Sequence, residues 1–161
     1  MRQVIMQPKA YEDMRKLIEV HDLEVGWMGV VERLNNDFLL KEILVYPQKQ
    51  SAAHIETDPE QMYYWYQLIP DDKLKELRFS GHSHVKMKPT PSFTDINDER
   101  NTIEEMVRTA KENRFYIFLI INKRLEYTLR IYDAEAAPGE KFTSSESKTA
   151  ELVVEGDLYN R

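Results

Sequence analysis

Apolar residues along the first third of the chain predict one helix followed by a strand hairpin. They recur at helical spacing over residues 10–21, after Pro8, which indicates an amphipathic helix. Two apolar runs follow, at residues 26–31 and 38–46, and the turn-forming cluster "RLNND" joins them, as expected for two paired strands. We expect a further short strand in the segment "SAAHIET", residues 51–57.

A second helix is predicted over residues 58–69. Thr57 and Glu60 have the spacing of a capping box, Pro59 is tolerated in the first turn, and Pro70 ends the helix. Its apolar residues lie at i, i+3, i+4 and i+7, which is the usual pattern of a helix face that packs on a core. The residues of this face are Met62, Trp65, Tyr66 and Ile69.

The pattern then continues as strand, helix and hairpin. Residues 74–84 are predicted to form a strand, residues 94–113 a long helix, and residues 114–121 and 124–133 a second hairpin. The long helix is predicted to turn Ile96, Ile103, Met106, Val107 and Ala110 towards the core.

The C-terminal part of the chain differs from the rest in being mostly polar. From residue 134 onwards only "AELVVEG", residues 150–156, has the character of a strand. The order of elements indicates an α/β fold, in which one mixed β-sheet is flanked by helices. A chain of 161 residues is the size of one ordinary domain, so we expect a single domain over residues 1–161.

Charge and composition exclude several classes of protein. A net charge of −6 argues against nucleic acid as a partner, because binding to phosphates needs a basic surface. The chain has no cysteine, which excludes disulfides, thiolate nucleophiles and cysteine-ligated zinc. No apolar run approaches the length of about 18 residues that a membrane span needs, and the N-terminus carries charges too early for a signal peptide. We therefore expect a cytoplasmic protein without a membrane partner.

The candidate chemistry is concentrated in "HSHVKMKPTPSFTD", residues 82–95. Side chains two positions apart on a strand point to the same face, so His82 and His84 can converge on one metal ion. Asp95 follows at the start of the long helix and can supply a third ligand. Two imidazoles and one carboxylate leave one tetrahedral position open, which is the arrangement of a catalytic zinc site.

The same residues also have a structural interpretation. Ser92 and Asp95 have the spacing of a capping box, and a histidine pair near a strand end can simply be exposed. The complete pattern H-x-H-x7-S-x2-D, however, is expected by chance in only about one of several thousand chains of this length. The combination therefore favours the metal site.

With this pattern the chain resembles the JAMM metalloproteases, also called the JAB1/MPN domain. The resemblance covers roughly residues 5–132 and leaves residues 133–161 as a polar C-terminal extension. It implies the α/β sandwich of that family, which is similar in architecture to the cytidine deaminases. Val85 stands where many eukaryotic members have proline, which indicates a bacterial, archaeal or phage branch.

The resemblance assigns a role to each residue of the motif. It implies that His82, His84 and Asp95 bind one Zn²⁺ per chain and that Ser92 stabilises the tetrahedral intermediate. The family also has an upstream glutamate before a glycine-containing strand. The segment "LEVGWMGVV" occupies that place and nominates Glu24.

Glu24 would act as the general acid/base, which takes a proton from the attacking water and passes it to the leaving amine. Glu32 is the alternative residue for this role. The other two histidines are assigned no catalytic part: His21 is expected at a helix end and His54 at an exposed strand edge.

The activity implied by the resemblance is hydrolysis of a peptide or isopeptide bond at the C-terminal tail of a ubiquitin-like protein or its conjugate. Two other functions stay open. One is a catalytically silent scaffold or binding module on the same fold, and the other is a phage-tail or cell-wall hydrolase. The sequence indicates no oligomeric state.

Overall fold

The polypeptide forms a curved, mixed sheet of eight strands with helices packed on both faces. The computed structural model describes residues 1–51, 54–85 and 87–156. In chain order the elements are β1 (Arg2–Met6), α1 (Pro8–Val20), β2 (Gly26–Leu34), β3 (Asp37–Leu44), β4 (Lys49–Gln50), β5 (Ile55–Glu56), α2 (Pro59–Gln67), α3 (Asp71–Leu74), β6 (Leu77–His84), α4 (Phe93–Thr109), β7 (Phe115–Asn122), β8 (Tyr127–Asp133), β9 (Phe142–Ser144) and β10 (Ala150–Val154). Strands β4 and β5 pair with each other outside the main sheet.

The main sheet has the strand order β10-β1-β3-β2-β6-β7-β8-β9. Strand β1 runs parallel to both β10 and β3, β6 runs parallel to β7, and the other neighbours are antiparallel. The two edges approach each other, because Leu152 N on β10 donates to the Tyr127 hydroxyl at 3.1 Å and Thr149 N donates to Ser144 O at 3.0 Å. The sheet is therefore nearly closed, and β6 lies near its middle.

Strand β7 shows how the sheet divides the apolar residues between its two faces. All eight of its residues are buried. The odd-numbered ones, Phe115 to Ile121, belong to the main core together with the buried face of α1. Tyr116 and Phe118 belong to a smaller cluster on the other face, which includes Met106 of α4. Burial on both faces explains the continuous apolar run "FYIFLII".

The predicted mixed α/β architecture is confirmed. The first helix, both hairpins and the long helix form where the sequence pattern places them. Trp65 and Tyr66 of α2, and Ile69 just beyond its end, pack with Val30 and Leu77 as predicted, whereas Met62 of the predicted face is not part of this cluster. In the described ranges no helix is both long and apolar enough to cross a membrane.

Two strands of the sheet were not predicted, and a third has an unexpected partner. The apolar pattern gives no indication of β1 or β9, and it places β10 in a polar extension. In the structure β10 pairs with β1, so the first and the last described strands lie side by side in the same sheet. Parallel pairs between distant segments have no tight turn to mark them, which is why local patterns do not reveal β1.

The boundaries around α2 also differ from the prediction. The N-cap of α2 is Asp58, whose carboxylate accepts from Glu60 N at 2.9 Å, and not Thr57. The predicted strand at residues 74–84 begins only at Leu77, because the short helix α3 ends at Leu74. Of the short strand expected at residues 51–57, Ile55–Glu56 form β5, and residues 52–53 lie outside the described part of the chain.

Helix α4 packs only part of its predicted apolar face on the sheet. Ile103, Met106 and Ala110 belong to the cluster with Tyr116 and Phe118, as predicted. Ile96 and Val107 were expected in the core, but they are 38% and 37% exposed. The buried Glu99 faces the sheet instead, and its carboxylate lies 2.7 Å from Arg130 Nη1 on β8. Asp95 and Glu99 are four residues apart and so lie on one face of the helix. Because this face contacts the sheet, the neighbouring Ile96 faces the solvent.

A buried ion-pair cluster joins strands from both halves of the sheet. Asp133 at the end of β8 accepts two hydrogen bonds from Arg33 at 2.9 Å and one from Arg2 at 2.8 Å. Both guanidinium groups also lie over aromatic rings, with Arg2 4.8 Å from the Phe38 ring centroid. Burial raises the pKa of the Asp133 carboxyl, but the hydrogen bonds from Arg33 and Arg2 outweigh burial and lower it to about 2.

We expect Asp133→Asn to lower the free energy of unfolding by about 3–5 kcal/mol, because it leaves the buried Arg2 without its counter-charge. The matched control is Glu135→Gln, which removes an exposed partner of Arg33 and should cost less than about 1 kcal/mol. Urea denaturation at pH 7 measures both. An equal effect of the two substitutions would contradict the role given to the cluster.

The same pair of variants has a defined pH dependence. A carboxyl whose pKa is lower in the folded state stabilises the fold when ionised, so its contribution is complete above its ordinary pKa and is lost as the pH falls towards about 2. The stability difference between wild type and Asp133→Asn should therefore shrink between pH 5 and pH 2.5. A difference that stays constant over this range would contradict the assignment.

Candidate metal centre

Strand β6 presents two histidines on the face of the sheet that α4 covers. Its side chains alternate, so Ser80, His82 and His84 share one face, on which the Ser80 hydroxyl lies 2.7 Å from the Tyr116 hydroxyl. Ser83 points the other way and accepts a hydrogen bond from Val25 N at 3.0 Å. Strand β6 is hydrogen-bonded to β2 on one side and to β7 on the other, so the backbone that carries both imidazoles is fixed.

The start of α4 brings a carboxylate to the histidines. Ser92 is the N-cap of the helix, and its hydroxyl accepts from Asp95 N at 3.1 Å. The Asp95 carboxylate in turn accepts from Ser92 N at 2.8 Å, which completes a capping box. The structural interpretation of the S-x-x-D spacing is therefore confirmed, and the same bonds orient Asp95 towards β6.

Three potential ligands converge at this point. His82 Nε2 and His84 Nε2 are 3.1 Å apart, and the Asp95 oxygens lie 3.3 Å from His82 Nε2 and 3.4 Å from His84 Nε2. Tetrahedral coordination with bonds of about 2.0–2.2 Å places ligand atoms about 3.3–3.6 Å apart. The donor set therefore fits a metal ion such as Zn²⁺, and it equally fits Fe²⁺, which uses the same three ligand types.

A hydrogen bond to the backbone orients the His84 ring so that its Nε2 can bind a metal ion. His84 Nδ1 lies 3.0 Å from the carbonyl oxygen of Lys88, which can only accept, so Nδ1 carries the hydrogen. In the neutral ring Nε2 then has a free lone pair, and it faces His82 Nε2 and Asp95. Lone pairs and a carboxylate at this separation repel one another unless a proton or a cation lies between them.

Electrostatics keep Asp95 charged. Partial burial raises the pKa of its carboxyl, but hydrogen bonds from His82 and His84 outweigh burial and hold that pKa well below its usual range. The hydrogen bond to Asp95 also raises the pKa of His84, against the opposite effect of burial. Protons and a metal ion therefore compete for the same nitrogen, which makes metal affinity lower in acid.

Glu24 lies beside the three ligands without joining them. It is 4% exposed, and its Oε1 lies 3.9 Å from His84 Nε2. Its backbone is fixed, since Glu24 N donates to Ser51 O and Glu24 O accepts from Gln50 Nε2 at 3.1 Å. Burial raises the pKa of the Glu24 carboxyl, although His82 and His84 lower it in part.

An open groove of about 810 Å³ runs over the cluster. Helix α4 forms one wall, the β5–α2 segment forms the other, and strands of the sheet form the floor. Glu24, His82, Ser92 and Asp95 line this groove, and His84 is buried next to them. Glu32, the alternative to Glu24, does not line the groove, because it is an exposed residue further along β2.

The structure adds residues to the site that sequence reasoning did not select. Glu99 lines the groove one helical turn after Asp95, and burial raises its pKa to about 7 although Arg130 lowers it. Its i+4 spacing from Asp95 was a usable signal. Tyr46 also lines the groove, and no local pattern marks it. His54 is exposed, as predicted, and lies at the rim.

Compared with known proteins, the chain matches no family model and no curated protein at a significant level. The resemblance to the JAMM family therefore depends on the motif residues of the sequence alone, and membership of that family stays a prediction. The roles of the five motif residues stay predictions at this point.

We expect the wild-type chain to bind one divalent metal ion, and His84→Ala or Asp95→Ala to lose most of it, because two ligands hold an open site poorly. At a metal concentration of about 100 Kd the ion should stabilise only the wild type, by about 2.7 kcal/mol. Elemental analysis after zinc reconstitution and thermal denaturation with and without zinc measure these effects.

The matched controls are His54→Ala and Asp98→Asn, which remove a groove histidine and a groove carboxylate outside the three-ligand cluster. Both should keep the wild-type metal content. A wild type that takes up no metal, or controls that lose as much metal as His84→Ala, would show that the cluster is not the binding site.

Proposed function

We propose that this chain is a JAMM-type zinc hydrolase that cleaves a peptide or isopeptide bond. The observation that carries the proposal is the combination of His82, His84 and Asp95, gathered within 3.4 Å of one another, with the buried Glu24 beside them in an open groove. A metal site that only transfers electrons or stabilises the fold does not need a second carboxylate, such as that of Glu24, beside the ligands. The JAB1/MPN-like topology belongs to the same proposal.

His82, His84 and Asp95 would hold the metal, in agreement with their convergence and with the fixed orientation of Asp95. When bound, the ion supplies a Lewis acid that polarises a carbonyl group and lowers the pKa of water towards about 7. The strand and the capping box hold the three side chains in place before the ion arrives, so little rearrangement is needed on binding.

Glu24 would move the proton. Its Oε1 lies 3.9 Å from His84 Nε2, next to the ligands, so it can accept a proton from the attacking water. The same oxygen can then deliver the proton to the nitrogen of the departing amine. A base that is nearly enclosed, as Glu24 is, keeps this proton from exchanging with bulk water during the reaction.

Ser92 would bind the carbonyl oxygen as negative charge develops on it. Its hydroxyl oxygen accepts one bond, from Asp95 N, and this leaves the hydroxyl hydrogen available to donate into the groove. The N-cap role and the catalytic role therefore use different parts of the same group.

The substrate class follows from the likeness to the JAMM family. We propose the C-terminal tail of a ubiquitin-like protein or its conjugate, cleaved in the cytoplasm. The groove agrees with an extended tail: its floor includes apolar side chains of Met28, Phe118 and Ile120, and both walls carry polar groups. A tail that ends in small residues brings its carbonyl closest to the ligands.

We expect Glu24→Gln to lower turnover by about 10²- to 10⁴-fold while the metal content stays at the wild-type level, because the substitution removes the base and leaves the ligands intact. The substrate is a ubiquitin-like protein with a Gly-Gly tail fused to a reporter, and zinc is measured on the same samples. The control is Glu32→Gln, which should behave as wild type.

Two results would count against the proposal. Full activity of Glu24→Gln would remove the general base from the mechanism. Failure of the zinc-loaded wild type to cleave any of a panel of ubiquitin-like fusions, with one zinc bound per chain, would favour a binding module over an enzyme that acts on such tails.

A further inference from the structure

Strand β2 has no side chain at residue 26, which lies next to the candidate metal ligand His82. In the antiparallel pair of β2 and β6, Gly26 lies directly opposite His82. Residues in this relation point their side chains to the same face of the sheet, with Cβ atoms about 4.5–5.5 Å apart. Because residue 26 is glycine, no side chain of β2 stands beside the His82 imidazole.

The hydroxyl of Tyr46 fills this gap. A Cβ atom built on Gly26 would overlap the Tyr46 hydroxyl oxygen and would lie 2.9 Å from Tyr46 Cζ and 3.0 Å from Ile55 Cδ1. The Tyr46 ring is held from its other side by Trp65, with the ring centroids 6.0 Å apart in an edge arrangement. The hydroxyl is therefore fixed where a cross-strand neighbour of His82 would otherwise be.

Within the part of the chain that the structure describes, no hydrogen bond joins this hydroxyl to another residue, and Tyr46 lines the groove. The neighbouring tyrosines differ: the Tyr116 hydroxyl pairs with Ser80 at 2.7 Å, and the Tyr66 hydroxyl donates to Met28 Sδ at 3.7 Å. Burial raises the pKa of Tyr46 to about 12, so its phenol stays protonated and can donate.

The strand order places this donor opposite Ser92. Tyr46 follows β3, on the β2 side of His82, whereas α4 with Ser92 packs on the β7 side. Tyr46 and Ser92 therefore belong to elements on the two sides of β6, the strand that carries His82, and both line the groove.

We propose that the Tyr46 hydroxyl donates a hydrogen bond to a carbonyl oxygen of the bound substrate, from the side of β6 opposite Ser92. The inference rests on the proposed hydrolase function. Amide-containing chains carry carbonyl acceptors along their length, and a donor with no partner among the described residues can bind such an acceptor without losing a hydrogen bond to another side chain.

The test is Tyr46→Phe, which removes the hydroxyl and keeps the ring that packs on Trp65. We expect kcat/KM on the Gly-Gly fusion to fall at least about tenfold, while zinc content and thermal midpoint stay at wild-type values. The matched control is Tyr64→Phe, the same change on α2 at an exposed hydroxyl that does not line the groove. It should stay within about twofold of wild type.

Each other outcome has one interpretation. Tyr46→Phe within twofold of wild type would overturn the inference and leave the hydrolase proposal standing. A loss of activity accompanied by zinc loss or by a lower thermal midpoint would assign Tyr46 to the structure of the site and would also overturn it. A zinc-loaded wild type without activity would refute the hydrolase proposal itself, and the inference with it.

Discussion

The Asp95 carboxylate makes contacts in two directions, and the geometry of the site depends on both. Towards its own helix it accepts from Ser92 N at 2.8 Å, and towards the sheet its oxygens lie 3.3 and 3.4 Å from the two Nε2 atoms of His82 and His84. The capping box fixes the carboxylate, and the paired strand fixes the imidazoles. The Glu99–Arg130 ion pair fastens the same helix to β8 one turn later.

The candidate site was largely predictable because its elements are local. Alternation along a strand places His82 and His84 on one face, and the S-x-x-D spacing begins a helix, so both halves of the cluster follow from short-range rules. Their approach to each other does not follow from those rules. It depends on the packing of Ile103 and Met106 of α4 against β7 and on the Glu99–Arg130 ion pair, which joins α4 to β8.

Several parts that sequence reasoning missed depend on contacts between distant segments. Strand β1 is defined by two parallel partners, β3 and β10, neither of which is joined to it by a tight turn. In the same way, Asp133 meets Arg2 across four intervening strands. Tyr46, by contrast, lies two residues beyond the β2–β3 hairpin, in which Leu44 still pairs with Met28, and the missing side chain of Gly26 leaves room for its hydroxyl.

The central claim is that the three side chains form a metal centre, and diffraction at the zinc absorption edge from crystals of the zinc-reconstituted protein tests it most directly. The account predicts one anomalous peak per chain, bonded at about 2.0–2.2 Å to His82 Nε2, His84 Nε2 and one Asp95 oxygen, with Glu24 near the ion but not bonded to it. A structure at the same zinc concentration with no peak at this position, or with the ion held by other residues, would contradict the account.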